Sequence, residues 1–431
     1  MARRSIPRRI TDRARRTAKL AGSVAAAGAR RLIRKSEDDD RVFGEALASE
    51  LDTMKGMAMK VGQILSYMDG ALPAESQAMM RTLQRGAEPL ALDVIQAVVD
   101  DALELPLQAL FDRFDPEPVA AASIGQVHRA SVTGTEVAVK VQYPHVRETF
   151  DLDMRQLRRL ARVASAATRV DGVAIVDDIQ ARLHEECDYT FEARWLERFR
   201  AVFADDPQIV FPAVVPDRST ETVLTTTWCE GRDFYSFCDQ ASEDERQAAA
   251  RTMIRFAMTS LYAHGAINAD PHPGNVLFRD RGEVVFLDFG CVRVLPTDWL
   301  DRDRAVVRAL LADDRAAFDR AVLDSGIIAG DPARFDLDTH HAMMRWQWAP
   351  FLTDSFTFTP EHMQEGTRFS GPTNPNLRRM AIDGPWVWVE RLRWGLLAVL
   401  TRMGASGSFR PILEQALDRP HEPFVLDGEA A

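Results

Sequence analysis

The chain has 431 residues, of which 46% are apolar and 27% charged, with 4 Cys and a net charge of −11. At roughly 150 residues per domain this length suits two or three domains, and the composition excludes a disulfide-stapled module, a collagen-like chain and a wholly disordered one. Cys187, Cys229, Cys238 and Cys291 form no C-x-x-C pair, which argues against a zinc ribbon and suits a reducing compartment.

Residues 1–40 read as a basic tail. Residues 1–35 carry ten Arg and two Lys against Asp12 alone, a local charge of +11 that leaves the other 396 residues at −22. An acidic body does not attract nucleic acid, so nucleic acid is not an expected partner of the whole chain. Four readings of the tail stand: a solvated arm, contact with anionic lipid, an organelle transit peptide, and a nucleic-acid arm. Ile6, Ile10, Leu20, Val24 and Leu32 give too faint an apolar stripe for an inserted amphipathic helix, and no secretory signal peptide is expected.

Residues 41–115 read as a helical extension. Leu47, Leu51, Met54, Ala58 and Val61 recur at spacings of three and four, and Pro73 and Pro89 open further helices. Over 116–231 the pattern changes to short strands around the Thr133-Gly134 turn, then helix over 147–203, then strands at Ile209–Phe211 and Thr222–Trp228. Residues 232–431 are mostly helical: a long helix over Ser242–Gly265, a loop-rich stretch over 266–293 with a strand at Val284–Leu287, and a Trp-rich end. Trp386-Val387-Trp388-Val389 and Trp394–Leu400 read as core packing, not as a lipid-facing surface, and Glu390, Arg391, Arg393 and Arg402 forbid a spanning helix there. The fold class is α+β.

The chemistry concentrates in Asn268-Ala269-Asp270-Pro271-His272-Pro273-Gly274-Asn275 and Phe286-Leu287-Asp288-Phe289-Gly290. An acid, an amide five residues on and a second acid further along suit phosphoryl transfer. One carboxylate orients the attacking group, while the amide and the other carboxylate offer oxygens to Mg²⁺ on nucleotide phosphates. The spacing matches the D-x₄-N and D-F-G of the kinase signature set. Upstream, Val137-Ala138-Val139-Lys140 has the form of the strand whose lysine pairs with phosphates. It follows Ala120-Ala121-Ala122-Ser123-Ile124-Gly125-Gln126-Val127. Laid over G-x-G-x-x-G-x-V, Gly125 and Val127 match while Ala120 and Ala122 replace glycines, so the loop should cover phosphates differently from an ordinary kinase. Glu185–Ala193 supplies carboxylates on one predicted helix. Glu186 and Glu192, six apart, would point about 240° away from each other.

Together with Lys60-Val61-Gly62-Gln63, these motifs make the chain resemble the UbiB/AarF family of atypical kinase-like proteins over about residues 45–300. The resemblance implies a two-lobed protein-kinase-like fold with an N-terminal extension carrying K-x-G-Q, and Mg²⁺ with ATP or ADP bound between the lobes. It implies that Lys140 binds phosphates and pairs with Glu192, that Asp270 is the catalytic-loop acid, and that Asn275 and Asp288 hold the metal. Ala120, Ala121, Ala122, Ser123, Gly125 and Val127 would cover the phosphates, and Thr227, Trp228 and Cys229 would contact adenine at the hinge. Lys60 would meet Glu186 and Asp188 in a lid across the site that includes Gly62, with Gln63 approaching the nucleotide side. Asn268 stands where the family commonly has His, and no A-P-E segment for docking peptides follows Cys291. The function so implied is an ATP-dependent phosphotransferase or ATPase supporting quinone or isoprenoid-lipid metabolism, with a lipid-like small molecule and lipid-biosynthetic proteins as partners. Its expected setting is cytoplasmic and peripheral to a membrane, with organelle import also open. A catalytically silent nucleotide-binding scaffold is the alternative, and a phosphotransferase of the aminoglycoside or choline type would leave K-x-G-Q unexplained.

Overall fold

A computed structural model describes residues 89–424 apart from 123, 153, 156–157, 159–171, 371–373, 378 and 382–383. The basic tail, the helices expected before Pro89, Ser123, and Lys60, Gly62 and Gln63 of K-x-G-Q lie outside those residues. The chain divides into two units. The first holds residues up to 190 together with 215–226, and the second holds 191–214 and everything from 227 onward.

In the first unit α1 (Leu92–Leu103) stops at Glu104, which turns left-handed at φ 54°, and Pro106 then starts the single turn α2 (Leu107–Leu110). The helical reading after Pro89 is therefore split in two, at a proline that cannot continue a preceding helix. Strands β1 (Arg113–Phe114), β2 (Ala120–Ala121), β3 (Gly125–Val132), β4 (Thr135–Gln142) and β6 (Val223–Thr227) form one sheet in the order β1-β3-β4-β6, with β2 also on β3. The β3–β4 pair is the predicted hairpin. Thr133 and Gly134 both take positive φ, 47° and 76°, as a two-residue turn matched to strand twist requires. Val137, Val139 and Val141 alternate into a core with Ile95 and Val99 of α1, while Lys140 takes the opposite face. Helix α3 (Gly172–Glu186) completes the unit.

In the second unit α4 (Tyr189–Val202), whose first two residues belong to the first unit, packs Trp195, Leu196 and Phe199 into the main core. There follow β5 (Ile209–Val210), α5 (Phe234–Gln240) and α6 (Glu243–Tyr262). The predicted long helix is α6. It begins in a capping box in which the Ser242 side chain accepts from Glu245 N–H and Glu245 accepts from Ser242 N–H. The loop-rich stretch contains more strand than its sequence suggests: β7 (Ala266–Asn268), β8 (Val276–Phe278), β9 (Val284–Phe286) and β10 (Val292–Val294). Three-residue strands are too short to show an alternation, which is why only the run at 284–287 stood out. β8 and β5 flank β9, and β10 pairs antiparallel with β7. Nine residues after the D-F-G aspartate the chain is already in the next helix, α7 (Thr297–Leu311). Helices α8 (Arg315–Asp324), α9 (Leu337–Gln347), α10 (Ala349–Leu352), α11 (Pro360–Ser370), α12 (Gly384–Met403) and α13 (Arg410–Asp418) fill the remainder. Trp346 and Trp348 are buried and Trp386, Trp388 and Trp394 half-buried, in line with core packing.

His340 of α9 is buried beside Phe318 and Phe335, and burial pushes its imidazole down to about 4. Between pH 6.5 and about 4 the unfolded chain takes up a proton there that the folded chain refuses. Stability is therefore lost as pH falls through that window, by about 3 kcal/mol for this group. His340→Met is expected to flatten that part of the profile, read from chemical unfolding at pH 7, 5.5 and 4. An unchanged slope would place the acid sensitivity elsewhere.

Candidate active site

In the first unit the sheet register aligns three of the residues named from sequence. Ala120 faces Val127, and Val127 faces Lys140, giving one row across β2, β3 and β4. The Ala-rich segment is a tight hairpin closed by Ala122 N–H on the Gly125 carbonyl at 2.8 Å. Gly125 has no room for a side chain, since a Cβ there would lie 2.3 Å from the Val141 carbonyl oxygen and 2.8 Å from Tyr189 Oη. The Lys140 ammonium stands 5.0 Å from the centre of the Tyr189 ring. Tyr189, 1% exposed, thus seats both the loop glycine and the lysine. Tyr189 lies within the acidic motif, where its neighbours' charges give no sign of this role.

The acidic motif is not one helix. Glu186 ends α3, and the chain turns at Cys187-Asp188 before α4 begins. Asp188 Oδ1 accepts from Thr190 N–H at 2.9 Å and from the Thr190 hydroxyl at 2.5 Å, satisfying an end of α4 that has no internal partner. Gln142, two residues after Lys140, donates to the Cys187 carbonyl at 2.8 Å and holds this break. Glu186 and Glu192 sit on different helices, so no common helical turn relates their directions, contrary to the 240° expected on one helix. Glu186 and Asp188 belong to the first unit with Lys140, and Glu192 to the second.

In the second unit the β7–β10 and β8–β9 ladders bring the two acidic motifs to the same strand ends. Asp270 and Asn275 lie in the connection from β7 to β8, and Asp288 lies in that from β9 to β10. Asn268 ties them together: its Oδ1 accepts from Asp270 N–H at 3.2 Å and its Nδ2 donates to the Asp288 carbonyl at 2.7 Å. The amide thus braces both loops from the position where the family commonly has His. Asn275 Nδ2 donates to Asp270 Oδ2 at 3.0 Å and to its carbonyl at 3.2 Å, which leaves Oδ1 of Asn275 as the amide's acceptor. Gly290 N–H donates to Asp288 Oδ1 at 3.0 Å. Phe289, fully buried, packs on Phe199 of α4 with ring centres 4.8 Å apart, and this brings Glu192 close. A Cβ at Gly290 would lie 3.4 Å from Asp288 Oδ1 and 3.7 Å from Glu192 Oε2.

Asp270 also has a partner that no sequence motif announced. Arg391 of α12 donates from Nη2 to Asp270 Oδ1 at 2.7 Å. Its only signal in the sequence was a charge within a Trp-rich helix. At the segment that the resemblance assigns to adenine contact, Thr227 exchanges two hydrogen bonds with Ala213, donating N–H to the carbonyl at 2.8 Å and accepting on Oγ1 at 2.9 Å. Trp228 Nε1 donates to Glu230 at 2.7 Å, and burial pushes the half-buried Cys229 thiol up.

Asn275 and Asp288 provide the amide and carboxylate oxygens that a hard cation takes. Among the described residues no group of three or more His, Cys, Asp or Glu is arranged to hold a metal, so a cation here would need ligands from nucleotide phosphates and water.

Residues 82–321, more than half the chain, match the family model described as ABC1 atypical kinase-like domain. The chain is 29% identical over 385 residues to the mitochondrial atypical kinase COQ8 of Saccharomyces cerevisiae, covering 87% of this chain and 75% of the yeast protein. It is 35% identical over 242 residues to the chloroplastic protein Activity of BC1 complex kinase 8 of Arabidopsis thaliana. That match covers 54% of this chain, and the chain spans about a third (32%) of the plant protein. A solved structure described as the complex structure of Rv3197-erythromycin from Mycobacterium tuberculosis is similar at a TM-score of 0.66 and 25% identity, covering 84% of this chain and 92% of that one.

Proposed function

The chain belongs to the ABC1 atypical kinase-like family, the kinase-like proteins its motifs resemble, and we propose that it binds Mg-ATP and performs phosphoryl transfer or ATP hydrolysis. The observation that carries this reading is the Asn268 amide, which fixes Asp270 and Asp288 to each other through one side chain. Lys140 and the hairpin over Ala120–Val127 would address the phosphates, with Glu192 as the partner of the lysine. Asn275 and Asp288 would hold Mg²⁺, which when bound neutralises charge on the phosphates. Asp270 would orient the attacking hydroxyl or water. Thr227, Trp228 and Cys229 would lie along the adenine, and Lys60, Gly62 and Gln63 with Glu186 and Asp188 would form a cover over the site.

The working division is a basic tail over 1–40, the K-x-G-Q extension over 41–115, an N-lobe over 116–231 and a C-lobe over 232–431. Quinone or isoprenoid-lipid metabolism is the proposed setting, on the strength of the family and of the COQ8 relative. The relatives' mitochondrial and chloroplastic names support organelle import, and the tail's charge supports contact with an anionic membrane. Among the described residues no helix is long and apolar enough to cross a membrane.

A second reading, a nucleotide-binding scaffold without turnover, is favoured by one feature. The loop that should flex over phosphates is here a hydrogen-bonded hairpin of alanines.

Thermal unfolding with ATP, ADP and GTP, with and without Mg²⁺, tests the binding. Adenine nucleotide at a hundred times its Kd should stabilise the wild type by about 2.7 kcal/mol by mass action. Lys140→Ala should lose most of that shift. No shift with any nucleotide, in a folded sample, would overturn the reading.

A further inference from the structure

The family match ends at residue 321, yet the ion partner of the catalytic-loop carboxylate comes from α12, at 384–403. We infer that α12 is part of the catalytic apparatus and that Arg391 is a positioning residue for Asp270. This inference rests on the phosphoryl-transfer reading above.

Both oxygens of Asp270 are engaged. Oδ1 accepts from Arg391 Nη2 at 2.7 Å and Oδ2 from Asn275 Nδ2 at 3.0 Å. Arg391, with its side chain 10% exposed, is held where it donates, since Trp388 lies 5.8 Å beneath its guanidinium and Cys291 Sγ is 3.8 Å from Nη1. One turn further along the same helix face, Gly395 meets the next residue of the loop. A Cβ at Gly395 would fall 2.2 Å from Pro271 Cγ. Arg391 and Gly395 therefore read Asp270 and Pro271 as a pair, one by charge and one by close approach.

The opposite side of α12 is anchored. Arg393, about 200° round the helix from Arg391, donates to Asp303 at 3.3 Å and to Glu390 at 3.0 Å, with side-chain exposures of 7% for Arg393 and 3% for Asp303. Tyr262 donates to Asp303 at 2.8 Å, and Gln347 donates to Glu390 at 2.6 Å. The anchor rests on the two Nη groups of Arg393, since its buried Nε has no hydrogen-bond partner, and a buried ion pair of this kind specifies one arrangement because any slip strands a charge. The helix cannot rotate without breaking it, so Arg391 is delivered to Asp270 at a set angle. A point charge in its place would keep the attraction but not the directed guanidinium fork.

The test uses the full chain with Arg391→Met, Arg391→Lys, Asp270→Asn and the Asp270→Asn/Arg391→Met double variant. Arg391→Met should lower kcat for ATP turnover by about 10- to 100-fold, the scale of a misplaced catalytic group, with KM for ATP within about twofold. Arg391→Lys should recover part of that loss. The double variant should be no slower than Asp270→Asn alone, since the arginine acts through that carboxylate. Amide exchange over residues 268–275 should quicken in Arg391→Met, and this readout needs no turnover. A folded Arg391→Met with wild-type kcat, additive losses in the double variant, or unchanged exchange over 268–275 would each overturn the positioning role. A wild type that shows no Mg-nucleotide stabilisation would instead overturn the functional reading, while the exchange result would still judge the clamp.

Discussion

Asp288→Asn is expected to lower Mg-dependent nucleotide turnover by about 10³-fold while leaving the fold intact. The variant keeps the shape of the turn: an asparagine Oδ1 can still accept the Gly290 N–H now bound at 3.0 Å, and Asn268 still donates to the backbone carbonyl of residue 288. Phe289 stays buried on Phe199, so the packing that locates the turn is untouched. What disappears is one full negative charge from the proposed cation site. A neutral amide is a weaker ligand for a hard cation, and positioning with electrostatic stabilisation supplies nearly all of the rate in phosphoryl transfer. Steady-state turnover against Mg²⁺ concentration checks it, alongside the melting temperature without nucleotide. Full turnover in a folded Asp288→Asn protein would remove Asp288 from the metal site.

Gly125→Ala is expected to carry the largest local loss of stability, about 3 kcal/mol. The added Cβ would sit 2.3 Å from the Val141 carbonyl oxygen, and that atom cannot retreat because β3 and β4 are paired over eight residues on each strand. The other neighbour, Tyr189 Oη at 2.8 Å, belongs to the ring over which Lys140 is seated, so relief in that direction disturbs the lysine. Native-state amide exchange of β3 and β4 should quicken by about 100-fold, 1.36 kcal/mol being a factor of ten, and the nucleotide-induced thermal shift should weaken. Gly134→Ala is the control. Nothing lies within 4 Å of a Cβ there, and only its φ of 76° resists the change, a cost of about 1 kcal/mol. If both variants exchanged alike, the close approach at Gly125 would not govern the loop.

Much of the site was legible because its chemistry is written in contiguous residues. Asp270 and Asn275 are five apart and Asp288 follows in the same supersecondary unit, so spacing along the chain carries information about spacing in the fold. The same holds for Lys140, placed by an alternating strand after a small-residue turn, and for α6, whose capping pair Ser242 and Glu245 is local. The break at Cys187-Asp188 was missed because continuous helical periodicity hides an interruption whose cause, Gln142 on the Cys187 carbonyl, lies 45 residues away. Asn268 was legible as a departure but not as a brace, since its value depends on Asp288 being within reach of the same amide.

Local sequence thus determined the α+β class, the hairpin at Thr133-Gly134 and the motifs that hold Lys140, Asp270, Asn275 and Asp288. These depend on hydrogen bonds and periodicities spanning a few residues. Only the tertiary structure decided that Tyr189 seats both Gly125 and Lys140, and that Arg391 closes on Asp270 across 121 residues. A charge in an apolar helix tells nothing of its partner until packing has removed water from around it, and in this protein the buried Arg393–Asp303 pair sets the helix that makes that choice.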